Sequence, residues 1–363
     1  FRWRPRGKGG GAMDGQRVPA AAGCLAALPA DVAGAMRAAV CITSLGDACT
    51  ELLANSLDAG ASRVQVRMHA RHFTLEVADN GAGVPTAEVA MLGTFHATSK
   101  GRGGRETYGF RGEGLAALGA MSVLEVVTRA RGEFETSERV VHGGLQVACG
   151  PARRGREEAG TTVTVRDLFY TQPVRRRRLA AQLAREEACV RAAVLRAALA
   201  RPDVELSLAD DARRGRVVLK ACRGRTVAST LCDAFGIAPA DVGAEVQQVG
   251  GGLSLSGHVS TSGRPSTDAQ FLFVNGRFVC DTRVHRLVNA WFAEASAAAG
   301  PSRGPTRVAA DCARYPAFVL YVTLDPHDYD ITYEPDKTRV EFRSWEPVMQ
   351  AVRHVLTSAW GGK

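Results

Sequence analysis

The sequence lacks the features that mark several common classes of protein. It has no uninterrupted apolar run of about 18 residues, which a membrane-spanning helix requires. Its nine Cys are odd in number and form no C-x-x-C pair, so neither a disulfide framework nor a Cys-based zinc site is expected. No H-E-x-x-H and no G-x-x-x-x-G-K-[ST] motif occurs. We therefore expect a globular protein in a reducing compartment, with no membrane partner and with neither zinc-protease nor P-loop chemistry.

Lysine is also scarce, with 5 Lys against 41 Arg, and the formal net charge is +9 at pH 7. Arg clusters such as RRGR at 153–156 and RRRR at 175–178 favour nucleic acid as a partner. A GC-rich coding sequence explains the abundant Arg and Ala equally well. The few lysines are more informative, because a Lys kept in an Arg-rich chain suggests a need for its compact, flexible ammonium group.

The hydrophobic pattern divides the chain into a tail and two α/β parts. Residues 1–25 are basic and Gly-rich without an apolar period, which predicts disorder. Residues 26–225 are predicted to form a first domain. The alternation of helices and strands restarts near 226, so residues 226–363 are predicted to form a second one, with a flexible insert at about 295–313.

The stretch CTELLANSLDAG lies in a predicted amphipathic helix. Ser44, with an acidic residue three positions later, starts it, and the helix runs from about 45 to 58. Glu51, Asn55 and Asp58 fall within roughly 60° of one another on a wheel of about 100° per residue. A solvated polar face would give the same pattern, so the helix alone does not decide between surface and site.

Downstream segments have the character of a site. An alternating hairpin between residues 64 and 77 ends at Asp79, and the Gly-rich DNGAGV follows at once. The polar segment that contains ATSKGRGGRETYG is predicted to form a mobile lid. In GFRGEGLAALGAM, a Gly-rich loop is predicted to lead directly into a helix. The remaining elements expected are strands at SVLEVVTRA and GTTVTVRDLFY, a helix at 179–200, a helix at TVASTLCDAFG, strands at 253–259 and 270–275, a helix at 281–298, a strand at FVLYVTL and a helix at 346–358.

In series, NSLDAG, DNGAG, ATSK, GFRGEG, GTTVTV, LFY with PVRR, and FVNGR resemble the motifs of the MutL-type DNA mismatch repair family, over residues 28–358. Within that family the chain is most similar to the third, meiosis-associated eukaryotic branch. The resemblance implies an α+β protein: a GHKL (Bergerat-type) ATPase α/β sandwich followed by a smaller α/β domain like domain 2 of ribosomal protein S5. The chain departs from the family's usual GFRGEA at Gly114.

The resemblance also implies a function. The protein would bind and slowly hydrolyse Mg-ATP, and this cycle would control amino-terminal dimerisation and DNA engagement in mismatch repair or meiotic recombination. Its implied partners are DNA, bound by salt-sensitive and largely sequence-independent contacts, the first (common) MutL homologue as a heterodimer partner, and MutS-type mismatch or junction recognition proteins. The implied location is the nucleus.

By resemblance, Glu51 is the general base that orients the attacking water, and Asn55 binds Mg²⁺. Asp79 accepts a hydrogen bond from the adenine amino group, and Gly81 and Gly83 let the backbone approach the base. Lys337 reaches the γ-phosphate from the second domain. The other residues implied in nucleotide binding are Thr98, Ser99, Lys100, Gly109, Phe110, Arg111, Gly112, Glu113, Gly114, Leu115 and Thr162, with Arg111 and Glu113 bracing the phosphate loop and Thr162 lying near the adenine pocket.

Other interpretations stay open. The protein could be an ATP-gated DNA clamp with negligible turnover, or another GHKL enzyme such as a topoisomerase subunit, which the pairing of GFRGEG with FVNGR disfavours. Arg175, Arg176, Arg177 and Arg178 are read as surface or DNA contacts rather than as a nuclear import signal. His96 is read as structural. No DQHA endonuclease motif or C-terminal dimerisation domain is recognised, so we expect an amino-terminal half, a fragment or an incomplete gene model that does not nick DNA.

Overall fold

A computed structural model describes residues 34, 38–94, 113–298, 314–330 and 338–361. The first part of the chain forms an eight-stranded sheet with the spatial order β5-β4-β3-β6-β2-β1-β7-β8. Neighbouring strands are antiparallel except for β1 and β7, which are parallel. In chain order the strands are β1 Arg63–His69, β2 Thr74–Asp79, β3 Val123–Arg129, β4 Ser137–His142, β5 Leu145–Pro151, β6 Gly160–Arg166, β7 Glu205–Asp210 and β8 Arg216–Ala221.

Helices pack against one face of this sheet. In chain order they are α1 Leu45–Asp58, α2 Gly114–Met121, α3 Pro173–Ala180 and α4 Leu183–Ala200. Every second side chain of β1 and β2 is buried, which is the pattern of a sheet with a single covered face. The apolar sides of α1, α2 and α4 share one core with those strand residues. The segment predicted as a single helix at 179–200 is divided, because Gln182 has a non-helical φ of −130°.

Helix α1 has the predicted ends. The Ser44 hydroxyl accepts a hydrogen bond from the backbone N–H of Asp47 at 3.1 Å. The Asp47 carboxylate in turn accepts from the Thr43 N–H at 2.9 Å. At the other end the chain leaves the helix through Gly60, whose φ of +69° is a left-handed value that glycine adopts at least cost. The capping residues thus fix where the helix that carries the candidate site begins and ends.

The second part of the chain builds a five-stranded sheet in the order β12-β11-β13-β10-β9, with β11 and β13 parallel. Its strands are β9 Glu245–Gly250, β10 Leu253–Arg264, β11 Gln270–Val274, β12 Arg277–Val279 and β13 Tyr315–Thr323. A short ribbon pairs β14 Tyr329–Asp330 with β15 Glu341–Phe342. The helices are α5 Val227–Phe235, α6 Arg283–Ala298 and α7 Glu346–Trp360. The predicted boundary at 225/226 stays a prediction, as does the insert, whose residues 299–313 lie outside the described part.

Helix α4 contacts both sheets. Its early turns pack on α1 in the first core, whereas Leu195 and Leu199 belong to an apolar cluster with Phe271 of the second sheet. The Tyr321 hydroxyl donates to the Leu199 carbonyl oxygen at 2.7 Å. The guanidinium carbon of Arg196 lies 4.5 Å from the ring centroid of Phe278. The two sheets are therefore linked through one helix. No helix of the described part is long and apolar enough to cross a membrane.

A buried carboxylate from α4 holds the first turn of α1. Glu186 is 2% exposed, and its Oε2 accepts the Leu45 N–H at 2.8 Å. Burial raises the pKa of Glu186 above its ordinary value, and the hydrogen bond from Leu45 opposes that rise. This N–H has no partner within its own helix, so the carboxylate satisfies a group that burial would otherwise penalise.

We predict that Glu186→Ala lowers the free energy of unfolding by about 2 kcal/mol, because it leaves the buried Leu45 N–H unpaired. Glu186→Gln, which keeps an oxygen acceptor and removes the buried charge, should cost less than half as much. Urea unfolding of the two variants beside wild type measures the difference. An alanine variant as stable as wild type would show that this contact does not stabilise α1.

Candidate nucleotide-binding site

The site is built around Asp79, the last residue of β2. Asp79 is only 7% exposed. Its Oδ2 accepts a hydrogen bond from the Ser56 hydroxyl of α1 at 3.0 Å. Its Oδ1 accepts from the backbone N–H of Gly81 at 2.9 Å and from that of Thr161 at 3.2 Å. Three separate segments of the chain, a helix, a loop and β6, therefore meet at one carboxylate.

These contacts define what the carboxylate can still bind. Burial raises the pKa of Asp79, while the hydrogen bonds from Gly81, Ser56 and Thr161 and the positive charge of Arg156 oppose that rise. A carboxylate offers about four acceptor positions. Among the described residues, two donors reach Oδ1 and one reaches Oδ2, so within that part of the chain Oδ2 keeps one position for a donor from a ligand.

The glycines of the DNGAGV loop are required by close packing of the protein on itself. A Cβ at Gly83, where φ is +69°, would lie 2.0 Å from the Arg129 carbonyl oxygen at the end of β3. A Cβ at Gly81 would lie 2.8 Å from the Ala59 Cβ at the end of α1. That both glycines let the backbone approach the adenine base stays a prediction. The close contacts within the protein are a second reason for glycine at each position.

Three hydroxyl side chains at this site were missed by the sequence analysis: Ser56, Thr128 and Thr161. The Thr161 N–H binds Asp79, and Thr128 of β3 is paired with Thr161 in the sheet, with their Oγ1 atoms 3.0 Å apart. Thr128 Oγ1 also accepts the N–H of Val84 in the Gly-rich loop at 2.9 Å. The sequence did contain an indication of Thr128. The alternating pattern of β3 predicts an apolar residue at this position, and a polar one is found there.

The Thr162 side chain lies on the opposite face of the sheet from the Asp79 carboxylate. Thr162 pairs with Ala78, and successive side chains of a strand point to opposite faces, so Thr161 rather than Thr162 shares the face of Asp79. The Thr162 hydroxyl accepts a hydrogen bond from Arg156, whose guanidinium also donates to the Asp79 carbonyl oxygen at 2.6 Å. Thr161 is thus the threonine on the face of Asp79, and contact of Thr162 with a nucleotide stays a prediction.

Glu51 and Asn55 lie one turn apart on α1, both half-buried, and Glu51 faces the start of α2. A Cβ on Gly114 would be 2.6 Å from Glu51 Oε2. Gly114 has no positive φ, so a larger residue there is opposed by contact with the Glu51 carboxylate rather than by backbone conformation. Glu113 precedes the first turn of α2 as its N-cap, and Leu115 packs against the first core, so contact of either with a nucleotide stays a prediction.

The oxygen atoms near α1 suit a hard cation. Mg²⁺ prefers oxygen ligands and is commonly held by one or two side chains together with phosphate oxygens. The Asn55 amide oxygen, beside the Glu51 carboxylate, fits that chemistry. Within the described ranges no three His, Cys, Asp or Glu side chains cluster as a metal site.

Several predicted residues lie outside the described part of the chain: Thr98, Ser99, Lys100, Gly109, Phe110, Arg111, Gly112, Lys337 and also His96. The predicted DNA-binding arginines lie on α3 and divide into two kinds. Arg175 donates to the Ile42 carbonyl oxygen at 3.2 Å, and Arg176 forms a 2.7 Å ion pair with Asp167. Arg177 and Arg178 are exposed.

Comparison with protein-family models gives two matches. Residues 42–142 match the model described as "Histidine kinase-, DNA gyrase B-, and HSP90-like ATPase". Residues 232–361 match the model "DNA mismatch repair protein, C-terminal domain". The first match contains α1, Asp79 and the Gly-rich loops, and the second covers all five strands of the second sheet.

Curated relatives agree with both models. The chain is 32% identical over 340 residues to human "DNA mismatch repair protein Mlh3", covering 90% of this chain and 23% of that protein. It is 31% identical to "DNA mismatch repair protein MutL" of Shewanella amazonensis, covering 92% of this chain and 49% of that protein. The MLH3 protein of Arabidopsis thaliana is 28% identical, covering 92% and 26%. The chain thus spans half or less of the length of these relatives.

Solved structures share the fold. A "Crystal Structure of N terminal domain of a DNA repair protein" has a TM-score of 0.73 at 22% identity, covering 90% of this chain and 96% of that one. The Aquifex aeolicus MutL ATPase domain complexed with ADP has a TM-score of 0.58 at 22% identity, covering 86% and 98%. The GHKL fold with a second α/β domain is thereby confirmed. This chain belongs to the MutL-type DNA mismatch repair family and corresponds to its amino-terminal GHKL ATPase region.

Proposed function

We propose that this chain binds Mg-ATP and hydrolyses it slowly, and that the nucleotide cycle controls amino-terminal dimerisation and DNA engagement in mismatch repair or meiotic recombination. The observation that carries the proposal is the buried Asp79 carboxylate beside a Gly-rich loop, where the donors from the described residues leave one acceptor position. Its position at a strand end, on the face covered by α1, puts it on the same side of the sheet as Glu51 and Asn55.

Asp79 suits adenine on chemical grounds. The exocyclic amino group of adenine donates hydrogen bonds, and Oδ2 is an acceptor in a dry environment, where such a bond is stronger than in water. Guanine carries the O6 acceptor at the corresponding position, so oxygen lone pairs would face each other. The pocket therefore favours adenine over guanine without any further contact.

Hydrolysis of ATP requires a positioned water and stabilisation of charge on the phosphates rather than covalent chemistry by the protein. Glu51 would orient the water, and Asn55 would hold the Mg²⁺ that bridges the phosphate oxygens. The start of α2, which Glu51 faces, would present backbone N–H groups and the positive end of the helix dipole to the phosphates. Lys100 and Lys337 are proposed phosphate contacts on the resemblance alone.

The partners are proposed from the relatives and from charge. The net charge of +9 and the exposed Arg177 and Arg178 favour DNA, bound mainly through its phosphates. The similarity to Mlh3 proteins of human and Arabidopsis supports a nuclear repair protein that pairs with the common MutL homologue and works with MutS-type recognition proteins. Any nicking of DNA would belong to parts of the relatives that this chain does not match.

The first prediction about function tests the turnover of ATP. Glu51→Ala should lower steady-state ATP hydrolysis at least 100-fold, a typical contribution of a general base, and should leave the Kd for ATP within about threefold. Phosphate release and equilibrium binding are measured on the same preparation, with Glu245→Ala, an exposed carboxylate on β9, as the control. Undiminished hydrolysis would remove Glu51 from the role of base. Wild type that binds ATP without measurable turnover would favour the non-hydrolysing clamp.

The second prediction tests the base pocket. Asp79→Asn keeps the size of the side chain but turns one oxygen into an N–H donor, which would face the adenine amino group. We expect ATP binding to weaken by about 2 kcal/mol or more, which is roughly 30-fold. Titration calorimetry gives the Kd, and a thermal melt confirms that the variant is folded. Unchanged affinity in a folded variant would contradict the adenine assignment.

The third prediction concerns DNA. Binding to duplexes of unrelated sequence should be similar, and log K should fall linearly with log salt concentration. Removing Arg177 and Arg178 together should weaken binding to all sequences alike and reduce the magnitude of the salt slope by up to roughly 2. The control is a double alanine variant of Arg343 and Arg353, which are exposed but pair with Asp328 and Glu346. An unaltered slope would exclude α3 from the DNA contact.

A further inference from the structure

One polar side chain lies on the buried face of β3. Leu124, Val126 and Thr128 share that face, and Thr128 is only 1% exposed. Valine has nearly the same shape as threonine and would suit an apolar core better, because a buried hydroxyl is unfavourable unless it is hydrogen-bonded. The bonds that Thr128 makes therefore indicate what its hydroxyl is for.

The hydroxyl of Thr128 connects two segments that are far apart in sequence. Its Oγ1 accepts the backbone N–H of Val84 at 2.9 Å and thereby fixes the end of the Gly-rich loop. The same atom lies 3.2 Å from the Gly160 carbonyl oxygen and 3.0 Å from Thr161 Oγ1, both on β6. A hydroxyl can accept and donate at once, so Thr128 satisfies the loop and the strand together. A valine could do neither.

Both of these segments also bind Asp79. The loop does so through the Gly81 N–H, and β6 does so through the Thr161 N–H, and both donate to Oδ1. A backbone bond from the Arg131 N–H to the Ala82 carbonyl oxygen at 2.8 Å holds the middle of the loop to the same end of β3. Thr128 thus sets the spacing of the two donors that orient the carboxylate, although its own hydroxyl makes no bond to Asp79.

We infer that Thr128 is a positioning residue for purine selection. It holds the Gly-rich loop and Thr161 so that Asp79 presents its remaining acceptor to a base that carries an exocyclic amino group. The inference rests on the proposed adenine site and deepens it. Loss of the Thr128 hydroxyl then lowers the discrimination for the amino group, whereas a residue that merely filled the core would change the affinity for all purine triphosphates alike.

The test compares ATP with purine riboside 5′-triphosphate, which lacks the amino group. For each variant the ratio of the two Kd values is measured by calorimetry with Mg²⁺ present. Wild type should prefer ATP by tenfold or more, because a site built to hydrogen-bond a group rejects the analogue that lacks it. Thr128→Val should reduce this preference at least fivefold, and Thr128→Ser, which keeps the hydroxyl, should retain it.

The control is Thr164→Val, which removes a buried hydroxyl from the opposite face of β6 and should leave the preference unchanged. If the valine variant does not fold, Thr128→Cys replaces it, since Cys matches Ser in size but is a weak hydrogen-bonding partner. A variant without the hydroxyl whose affinities for both ligands fall equally, or do not change, overturns the inference. Wild type that binds neither ligand, or shows no preference between them, contradicts the proposed adenine site instead.

Discussion

The hydrogen bonding of one buried carboxylate constrains the whole first domain. Asp79 is stabilised by donors from α1, from the Gly-rich loop and from β6, and its burial makes each of these bonds necessary. The loop can reach it only because Gly83 lets the backbone approach β3 to within contact distance. The helix reaches it through Ser56, which lies on the side of α1 that packs on the sheet. A shift of any one segment would leave a polar group unpaired.

The same helix contributes to both parts of the proposed site, the base pocket and the phosphate side. Ser56 contacts Asp79, whereas Glu51 and Asn55 lie earlier on α1, and Glu51 faces the start of α2. The start of α1 is fixed from outside by Glu186 of α4, and α4 in turn packs on the second sheet. A continuous path of packed elements therefore runs from the five-stranded sheet to the candidate site. Along this path, a movement of the second sheet would reach α1 through α4.

Local pattern predicted much of this site. The capping residues and apolar period gave α1 its bounds, and alternation gave the hairpin that ends at Asp79. Contacts that depend on strand register could not be predicted from the sequence. Thr161 and Thr162 are adjacent and chemically identical, and a register shift of one residue exchanges the faces to which they point. The RRRR run looked uniform, yet Arg175 and Arg176 bind the protein itself, because only the fold brings Ile42 and Asp167 beside them.

The glycine at the first position of α2 has a consequence for how this enzyme family can vary. Helix stability alone would favour alanine there by up to about 1 kcal/mol, but the Glu51 carboxylate lies within 2.6 Å of where the added carbon would be. An alanine at position 114 would stiffen the first turn of α2 and would displace the Glu51 carboxylate from its present position. A single methyl group separates the two arrangements, so a substitution at this position can move that carboxylate while leaving the core and the sheet intact.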